Sequence, residues 1–334
     1  MIKDPILSIC IPTYNRGDCL EQILEKMMPV CSANQIKVYI SDNASSDYTQ
    51  EVGERFSLQY DVVHYYRHPK NIGPDNNFEF VLKMADTKYR WLMSDTCYVD
   101  DLADLLADLS QNDLDACVVS DPYFNGSRSW CLPRQKVFYH ESVSVMRDLG
   151  WHLTWISCMI YNKRLVDSLD FQRFQNSCFN QTALMFEPTA NRECLICFTP
   201  KVEVKNLPSG SKESGWHYHV FDIMYRQWYL LIMSLPLYYP YEVKKKCIED
   251  NAHLPLMLKK YFHLKRRIEG KWTLGDLYRN RFFIKQAHAD YYLLFLMGLC
   301  PRILLRLFLY IYDFPFRVMV FIKNRFSLFL KKTK

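Results

Sequence analysis

The stretch that decides the fold is Leu7-Ser8-Ile9-Cys10-Ile11-Pro12-Thr13-Tyr14-Asn15, an apolar run that ends at polar residues. A second run of the same kind follows at Val38-Tyr39-Ile40-Ser41-Asp42-Asn43. A helical pattern follows each run, so the pair predicts two βα units of a parallel sheet. Because ligands bind at the carboxyl ends of such strands, we expect a binding site where the two runs end.

These two runs resemble the nucleotide-binding signature of family 2 glycosyltransferases, which have the Rossmann-like GT-A fold. In that family the first strand ends in a Pro-Thr-Tyr-Asn-like turn beside the nucleoside, and an Asp of the second strand contacts the base. The resemblance implies an α/β fold with a mostly parallel sheet flanked by helices. It assigns the nucleotide contacts here to Pro12, Thr13, Tyr14, Asn15 and Asp42.

Two later segments extend the resemblance. Asn71-Ile72-Gly73 matches the family's Asn-x-Gly segment near the sugar diphosphate, although a plain loop with helix caps is the alternative. Trp91-Leu92-Met93-Ser94-Asp95 ends where family members carry the acids of the Asp-x-Asp motif. The resemblance therefore adds four residues to the nucleotide-sugar site: Asn71, Gly73, Ser94 and Asp95.

The Asp-x-Asp segment is incomplete in this sequence. Asp95 matches the first acid, but Thr96 and Cys97 stand where the other acids are expected. In the family this motif holds a divalent cation that bridges carboxylate and diphosphate oxygens. The resemblance thus implies Mg²⁺ or Mn²⁺ with Asp95 as the catalytic metal ligand, held weakly because a thiol suits neither ion. The basic residues that could compensate for a weak metal site are Arg67, Lys70 and Lys212.

The residue that deprotonates the acceptor is harder to assign. Inverting family members place an acid, often a Glu-Asp pair, at the start of a helix on the acceptor side. The corresponding segment here, residues 177–183, reads Ser-Cys-Phe-Asn-Gln-Thr-Ala and has no acid. The candidates for the base are Glu187, Asp121 and His152. Glu187 could equally be a helix-end residue, and His152 a hydrogen-bonded member of an aromatic cluster.

Local patterns predict several elements outside these motifs. Asp47 is placed to cap the helix that follows the second strand. The aromatic and β-branched run from Trp151 to Tyr161 predicts a long strand on the acceptor side of the cleft. Residues 206–215 read as a loop, either a lid over the donor site or a plain surface loop.

The composition favours binding to a membrane surface over binding to nucleic acid. Aromatic residues make up 15% of the chain, the formal net charge is +6, and no recognisable nucleic-acid module is present. The apolar residues between 291 and 329 are interrupted by charges and Pro315, so no run reaches the ~18 residues of a spanning helix. This pattern, with a basic end at residues 323–334, predicts amphipathic helices at a membrane interface. A helical subdomain packed on the catalytic domain is the alternative.

The 12 cysteines are scattered, many within apolar runs, which is typical of buried free thiols in a reducing compartment. Cys194 and Cys197 lack a second pair, so we interpret them as structural rather than as a redox or zinc site. The first residues lack the pattern of a signal peptide. We therefore expect a cytoplasmic protein, peripheral to the cytoplasmic face of the inner membrane.

The sequence as a whole predicts a GT-A catalytic domain at residues 1–215 and a helical, basic and aromatic region at residues 216–334. The resemblance implies an inverting transfer of a hexosyl or deoxyhexosyl group from a nucleotide-diphosphate sugar to a polyprenyl-linked or other glycan acceptor. The matching segments are most similar to O-antigen and capsule transferases, including the abequosyltransferase-like group. One alternative is a degraded member that binds a nucleotide sugar or glycan without transfer. A nucleotidyltransferase ranks last, because Gly17 stands alone where a Gly-rich loop is needed.

Overall fold

The two opening runs are neighbouring strands in the computed structural model, which describes residues 5–120, 132–207, 218–254, 258 and 260–311. Strand β1 (Leu7–Thr13) is buried along its whole length, as expected of a strand covered on both faces. It pairs in parallel with β2 (Lys37–Asp42), and Thr13 lies opposite Asp42. Both strands therefore end side by side at one edge of the sheet, as predicted.

The remaining elements follow in an alternating order. The other strands are β3 Val63–Arg67, β4 Tyr89–Leu92, β5 Cys97–Tyr98, β6 Ala116–Ser120, β7 Val137–Tyr139, β8 Met159–Asn162, β9 Ile196–Glu203 and β10 Lys205–Asn206. The helices up to β9 are α1 Gly17–Ala33, α2 Thr49–Gln59, α3 Pro74–Met84, α4 Ala103–Gln111, α5 Ser142–Leu149, α6 Lys163–Ser168 and α7 Asn180–Phe186. The later helices are α8 Trp228–Ser234, α9 Tyr241–His253, α10 Lys260–Ile268, α11 Leu274–Arg279, α12 Arg281–Gln286, α13 Tyr291–Leu299 and α14 Arg302–Ile311.

The main sheet of the described residues has the order β3-β2-β1-β4-β8-β6-β9-β7. The four strands from β3 to β4 are parallel, whereas β8 runs antiparallel between β4 and β6. Strand β9 pairs in parallel with β6, and β7 closes that edge antiparallel to β9. A separate antiparallel ribbon joins β5 to β10. The mixed, mostly parallel α/β architecture predicted from the sequence is confirmed.

The helix that follows β2 begins near its predicted capping residue, Asp47. Asp47 Oδ1 accepts the backbone N–H of Thr49, the first residue of α2, at 3.1 Å. The same carboxylate also accepts the backbone N–H of Gly17 through Oδ2, at 3.2 Å. The N-cap position of α2 is Tyr48, one residue later than predicted, and Asp47 bonds the first N–H of α2 from the position before it. Asp47 also ties the start of α1 to α2.

The helices after β10 pack onto the sheet-containing part through α9, which contacts α5 and α8. Tyr239, just before α9, donates to the carbonyl oxygen of Phe186 in α7 at 2.5 Å. Trp228 and Trp272 are fully buried in the same continuous core. Helices α8, α9, α11 and α12 therefore share one core with the sheet-containing part.

The long strand predicted from Trp151 to Tyr161 is wrong. Two 3₁₀ turns, Gly150–Thr154 and Ile156–Cys158, occupy most of this stretch, and only β8 is extended. In these turns Thr154 Oγ1 donates a hydrogen bond to the carbonyl oxygen of Trp151 at 3.0 Å, and Cys158 Sγ donates to that of Trp155 at 2.9 Å. These local bonds to backbone carbonyls take the place of the hydrogen bonds between strands. The aromatic side chains are buried in the core without an extended backbone.

Replacing Gly53 in α2 by alanine should destabilise the protein. A Cβ there would lie 2.2 Å from the ring of Tyr65 on β3, so Gly53→Ala must displace that ring. We expect a loss of about 1–3 kcal/mol in the free energy of unfolding, despite the better helix propensity of Ala. Gly275→Ala in α11 is the matched control, because its nearest contact is Thr273 Oγ1 at 3.5 Å. Urea denaturation measures both, and a Gly53→Ala protein as stable as the wild type contradicts the packing.

His152 should make the fold sensitive to acid. Burial lowers the pKa of His152 to about 4, against the opposing effect of its hydrogen bond to Val119. The unfolded chain, with a histidine pKa of about 6.5, binds the proton first as the pH falls. The contribution of His152 is therefore complete above pH ~6.5, and an amount on the order of 3 kcal/mol is lost as the pH falls towards 4. The difference in unfolding free energy between wild type and His152→Gln, measured from pH 7 to pH 4, should shrink accordingly. A difference in unfolding free energy that stays constant over this pH range contradicts the lowered pKa of His152.

Candidate functional site

The loops after β1 and β2 are joined into one rim at the carboxyl edge of the sheet. Asn15 has a left-handed backbone, φ 54°, which Asn tolerates better than most residues. Its backbone N–H donates to Ser45 Oγ at 2.8 Å, and its side-chain oxygen accepts the N–H of Ser46 at 2.7 Å. Asn15 therefore links the two loops that the sequence assigns to the nucleoside. Tyr14 beside it is 46% exposed and presents an open ring.

Asp42 is fully buried beneath this rim. Its Oδ1 accepts the N–H and Oγ–H of Ser45, at 2.9 and 2.5 Å, and its Oδ2 accepts the Tyr65 hydroxyl at 2.7 Å. The Nε of Arg67 lies 3.6 Å from Oδ2, and Arg67 Nη2 donates to the carbonyl of Ser45 at 2.9 Å. Asp42 thus holds the rim and positions a half-exposed guanidinium. Its predicted contact with a base stays a prediction.

Asp95 follows β4 and lies beside the end of β1. Thr13 Oγ1 donates to Asp95 Oδ2 at 3.0 Å, and Arg16 Nη1 lies 3.7 Å from Asp95 Oδ1. Burial raises the pKa of Asp95 to about 6, and the Arg16 guanidinium and the Thr13 hydrogen bond act in the opposite direction. The fold therefore brings Thr13, Asp42 and Asp95 to one edge, with a guanidinium beside each carboxylate.

The two residues directly after Asp95, Thr96 and Cys97, do not offer a cation further carboxylates. Ser94 Oγ and Thr96 Oγ1 are 3.0 Å apart, and the buried Cys97 thiol donates to Asn206 Oδ1 at 3.1 Å. Among the described residues no group of three His, Cys, Asp or Glu side chains could hold a metal ion. A single carboxylate next to a guanidinium does not fit a protein-held Mg²⁺ or Mn²⁺, which prefer several oxygen ligands of net negative charge.

The Asn71–Gly73 loop joins the same edge through Asn43. The N–H of Asn43 donates to the carbonyl of Thr13 at 3.0 Å, and its side-chain oxygen accepts the N–H of Ile72 at 2.8 Å. Gly73 has φ 83°, and no atom lies within 4 Å of where its Cβ would be, so the loop leaves open space here. Asn43 and Arg16 belong to the site but were missed by the sequence analysis. Their only signal was adjacency to Asp42 and Asn15.

The three candidates for the base have different surroundings. Glu187 forms an ion pair with Arg173, whose other terminal nitrogen donates to the carbonyl of Ser234 at 2.7 Å. His152 is buried and bonded through Nε2 to the carbonyl of Val119 at 2.9 Å. Asp121 lies outside the described residues. The contacts seen for Glu187 and His152 match their structural alternatives, and their catalytic roles stay predictions.

Comparison with known proteins agrees with this geometry. Residues 8–170 match the family model described as glycosyl transferase family 2. The abequosyltransferase RfbV of Salmonella typhimurium is 27% identical over 219 residues, which cover 59% of this chain and 65% of that relative. The match thus spans just under two thirds of the relative's length.

Solved structures share the fold at low sequence identity. The S. aureus TarS 1–349 complex with UDP-GlcNAc has a TM-score of 0.56 and 14% identity, covering 84% of this chain and 81% of TarS 1–349. The mannosyltransferase PcManGT of Pyrobaculum calidifontis, in complex with GDP-Man and Mn²⁺, has a TM-score of 0.51 and 12% identity, covering 84% and 88% of the two chains. The GT-A-type fold expected from the sequence is confirmed. Residues 8–170 are thus similar to glycosyl transferase family 2.

Proposed function

We propose that this protein transfers a sugar from a nucleotide-diphosphate donor to a lipid-linked saccharide acceptor, with inversion, in the synthesis of a bacterial surface polysaccharide. The observation that carries the proposal is the polar cluster at the ends of β1, β2 and β4, where Thr13, Asp42 and Asp95 lie together. The similarity to an abequosyltransferase supports O-antigen synthesis as the setting.

The donor would lie along this edge. The exposed ring of Tyr14 suits stacking against a base, and the Asn15–Ser46 rim offers polar groups for the ribose. The open space over Gly73 leaves room for the sugar diphosphate. The predicted contacts from Pro12 to Asn15, and those of Asp42, Asn71, Gly73, Ser94 and Asp95, are kept in this proposal.

Arginine side chains would stabilise the departing diphosphate. Arg16 pairs with Asp95, and Arg67 pairs with Asp42, so two guanidinium groups lie at the edge where the diphosphate is expected. A guanidinium group can bind two phosphate oxygens at once, and its charge stabilises the negative charge that develops on a leaving group. The arrangement predicted from the sequence, Mg²⁺ or Mn²⁺ on Asp95, is the competing one. Lys212 lies outside the described residues.

Donor turnover should continue without a divalent cation. We expect nucleoside diphosphate release from a panel of UDP-, GDP-, CDP- and dTDP-sugars to persist in EDTA. Arg16→Gln should lower kcat/KM by about 10- to 100-fold, because it removes a charge beside the leaving group. Arg55→Gln is the control, since Arg55 is exposed and pairs with Glu21 on the surface of α1 and α2.

Three other outcomes of this experiment are informative. Turnover that is lost in EDTA, restored by Mn²⁺ and abolished in Asp95→Asn supports the metal arrangement. Binding of a nucleotide sugar without turnover under any condition favours a degraded member, for which Cys97 and the Asn180-Gln181 pair are the motivating residues. No calorimetric binding of any donor contradicts the proposed function.

The protein would meet a lipid-linked acceptor through α13 and α14. These helices expose a set of large apolar side chains: Tyr292, Phe295, Leu296, Leu299, Ile303, Leu304, Leu307, Phe308, Tyr310 and Ile311. A set of exposed large apolar side chains on two consecutive helices is typical of an interaction surface. In the described part of the chain no single helix is long and apolar enough to cross a membrane, although α13 and α14 together pass that test as a pair bent by 112°.

This patch supports the proposal that the C-terminal region lies in the interface of the cytoplasmic membrane leaflet. Arg302 and Arg306 supply positive charge within the patch, which suits anionic lipid. The basic stretch at 323–334 and the domain boundary near 215 both lie outside the described residues. The division into residues 1–215 and 216–334 is therefore kept as a prediction.

Membrane binding should depend on the exposed apolar patch. We expect the protein to co-sediment with vesicles of phosphatidylethanolamine and phosphatidylglycerol. The double variant Leu296→Asp with Ile303→Asp should bind at least about tenfold more weakly, because two apolar anchors are lost. Leu237→Asp is the matched control, since Leu237 is 97% exposed but precedes α9, away from the patch. Equal sedimentation of the double variant and the control contradicts the assignment.

A further inference from the structure

The first turn of α3 and the segment before α7 meet around a buried carboxylate, Asp75. Asp75 is only 5% exposed, and its Oδ2 accepts the N–H of Cys178 at 3.3 Å. The backbone N–H groups of Asn176 and Ser177 act on this carboxylate as well, since both lower its pKa. Asn180 Nδ2 donates to the backbone carbonyl of Asp75 at 2.9 Å. The segment from Asn176 to Asn180 is therefore wrapped around the side chain of Asp75.

Asp75 is also tied to the donor edge. It stands two residues after Gly73, whose loop is bonded to Asn43 beside the end of β1. Two residues further along, Asn77 exchanges hydrogen bonds with Ser41 near the end of β2, at 2.6 and 3.1 Å. The carboxylate thus lies between the edge assigned to the donor and the segment 177–183, in which the expected acid is missing.

Two buried oxygen atoms at this junction, Asp75 Oδ1 and Asn180 Oδ1, have no hydrogen-bond partner among the described residues. A third, Gln181 Oε1, belongs to the next residue of α7. All three accept hydrogen bonds, and leaving each unsatisfied costs about 1–3 kcal/mol. The amide orientation of Asn180 is fixed, because its nitrogen faces a carbonyl oxygen. A ligand that carries several hydrogen-bond donors would satisfy this set.

The electrostatic potential at the junction favours a ligand with neutral hydroxyl groups over a metal cation. The junction lies at the N-terminal end of α3, an 11-residue helix, where the backbone dipoles create a positive potential. The N–H of Cys178, which donates to Asp75, adds to that potential. A metal ion is disfavoured there, whereas the neutral O–H groups of a sugar are not.

We propose that this junction binds hydroxyl groups of the saccharide acceptor and that Asp75 accepts the proton of the attacking hydroxyl, a role that rests on the proposed function. The proton moves to Asp75 Oδ1 while the acceptor oxygen forms its bond to the anomeric carbon of the donor. The bond from that carbon to the diphosphate oxygen breaks, and its electron pair leaves with the nucleoside diphosphate. Asn180 and Gln181 accept hydrogen bonds from further hydroxyls.

The environment of Asp75 is suited to this task. Burial raises the pKa of Asp75 above its ordinary value, against the opposing effect of the three backbone N–H groups. A carboxylate with a raised pKa is a stronger base than one in water. The carboxylate that segment 177–183 lacks is in this way supplied from α3.

Asp75→Asn tests the proposal. The amide keeps the shape of the side chain and an oxygen for the backbone N–H groups, but it cannot take a proton. The assay uses the donor panel with undecyl-diphosphate-linked mono- and disaccharides of galactose, mannose, rhamnose and N-acetylglucosamine as acceptors. We expect kcat to fall about 10²- to 10⁴-fold, with nucleotide-sugar affinity and thermal stability nearly unchanged.

Asp108→Asn is the matched control. Asp108 in α4 is also 5% exposed, with one carboxylate oxygen paired to Lys136 and Oδ2 without a partner among the described residues. We expect its kcat to stay within about twofold of wild type, because it lies outside the junction. A second variant, Asn180→Asp in the Asp75→Asn background, places a carboxylate in the neighbouring position. The kcat of this double variant should be at least about tenfold higher than that of Asp75→Asn alone.

The outcomes separate the inference from the function on which it rests. If the wild type transfers sugar and Asp75→Asn retains kcat within about threefold, the inference is overturned and the proposed function stands. If Asp75→Asn loses nucleotide affinity and stability together, and Asn180→Asp restores nothing, Asp75 only holds the loop and the inference is again overturned. If the wild type transfers nothing with any donor and acceptor, the proposed function fails and the inference fails with it.

Discussion

The parallel pairing of β1 with β2, which sets Thr13 opposite Asp42, is the constraint on which the site depends. Because both strands end at the same level, the loops that follow them can bond to each other. Asn15 makes that bond possible by adopting a left-handed conformation that aims its side chain at Ser46. A shift in register would separate these loops and remove the bonds between them.

The charges at this edge are balanced before any ligand arrives. Asp42 has Arg67 beside it, and Asp95 has Arg16. Removing either arginine would leave a buried carboxylate without its partner, which is costly. A diphosphate that entered would bring its own negative charge and could share both guanidinium groups. The site therefore differs in electrostatics from one built around two or three free acids.

The acceptor side is built from parts of the chain that are far apart. Asp75 and the N–H of Cys178 are separated by 103 residues, and the α9 region that supports α7 comes later still. Packing of α8 to α12 covers this side with a continuous core. The change of character at α13, from buried to exposed apolar side chains, separates the catalytic part from the proposed membrane contact.

The sequence by itself determined the βα units and the strand ends, because each depends on residues within one turn or one strand. It identified Asp95 and Thr13 through a family resemblance, although nothing local shows that they touch across 82 residues. Only the tertiary structure decided the turns at 150–158, where core burial and side-chain bonds to the backbone prevailed over the strand propensity of an aromatic run. It alone paired Arg16 with Asp95 and enclosed Asp75, because such contacts depend on how distant segments meet and not on which residues are neighbours in the chain.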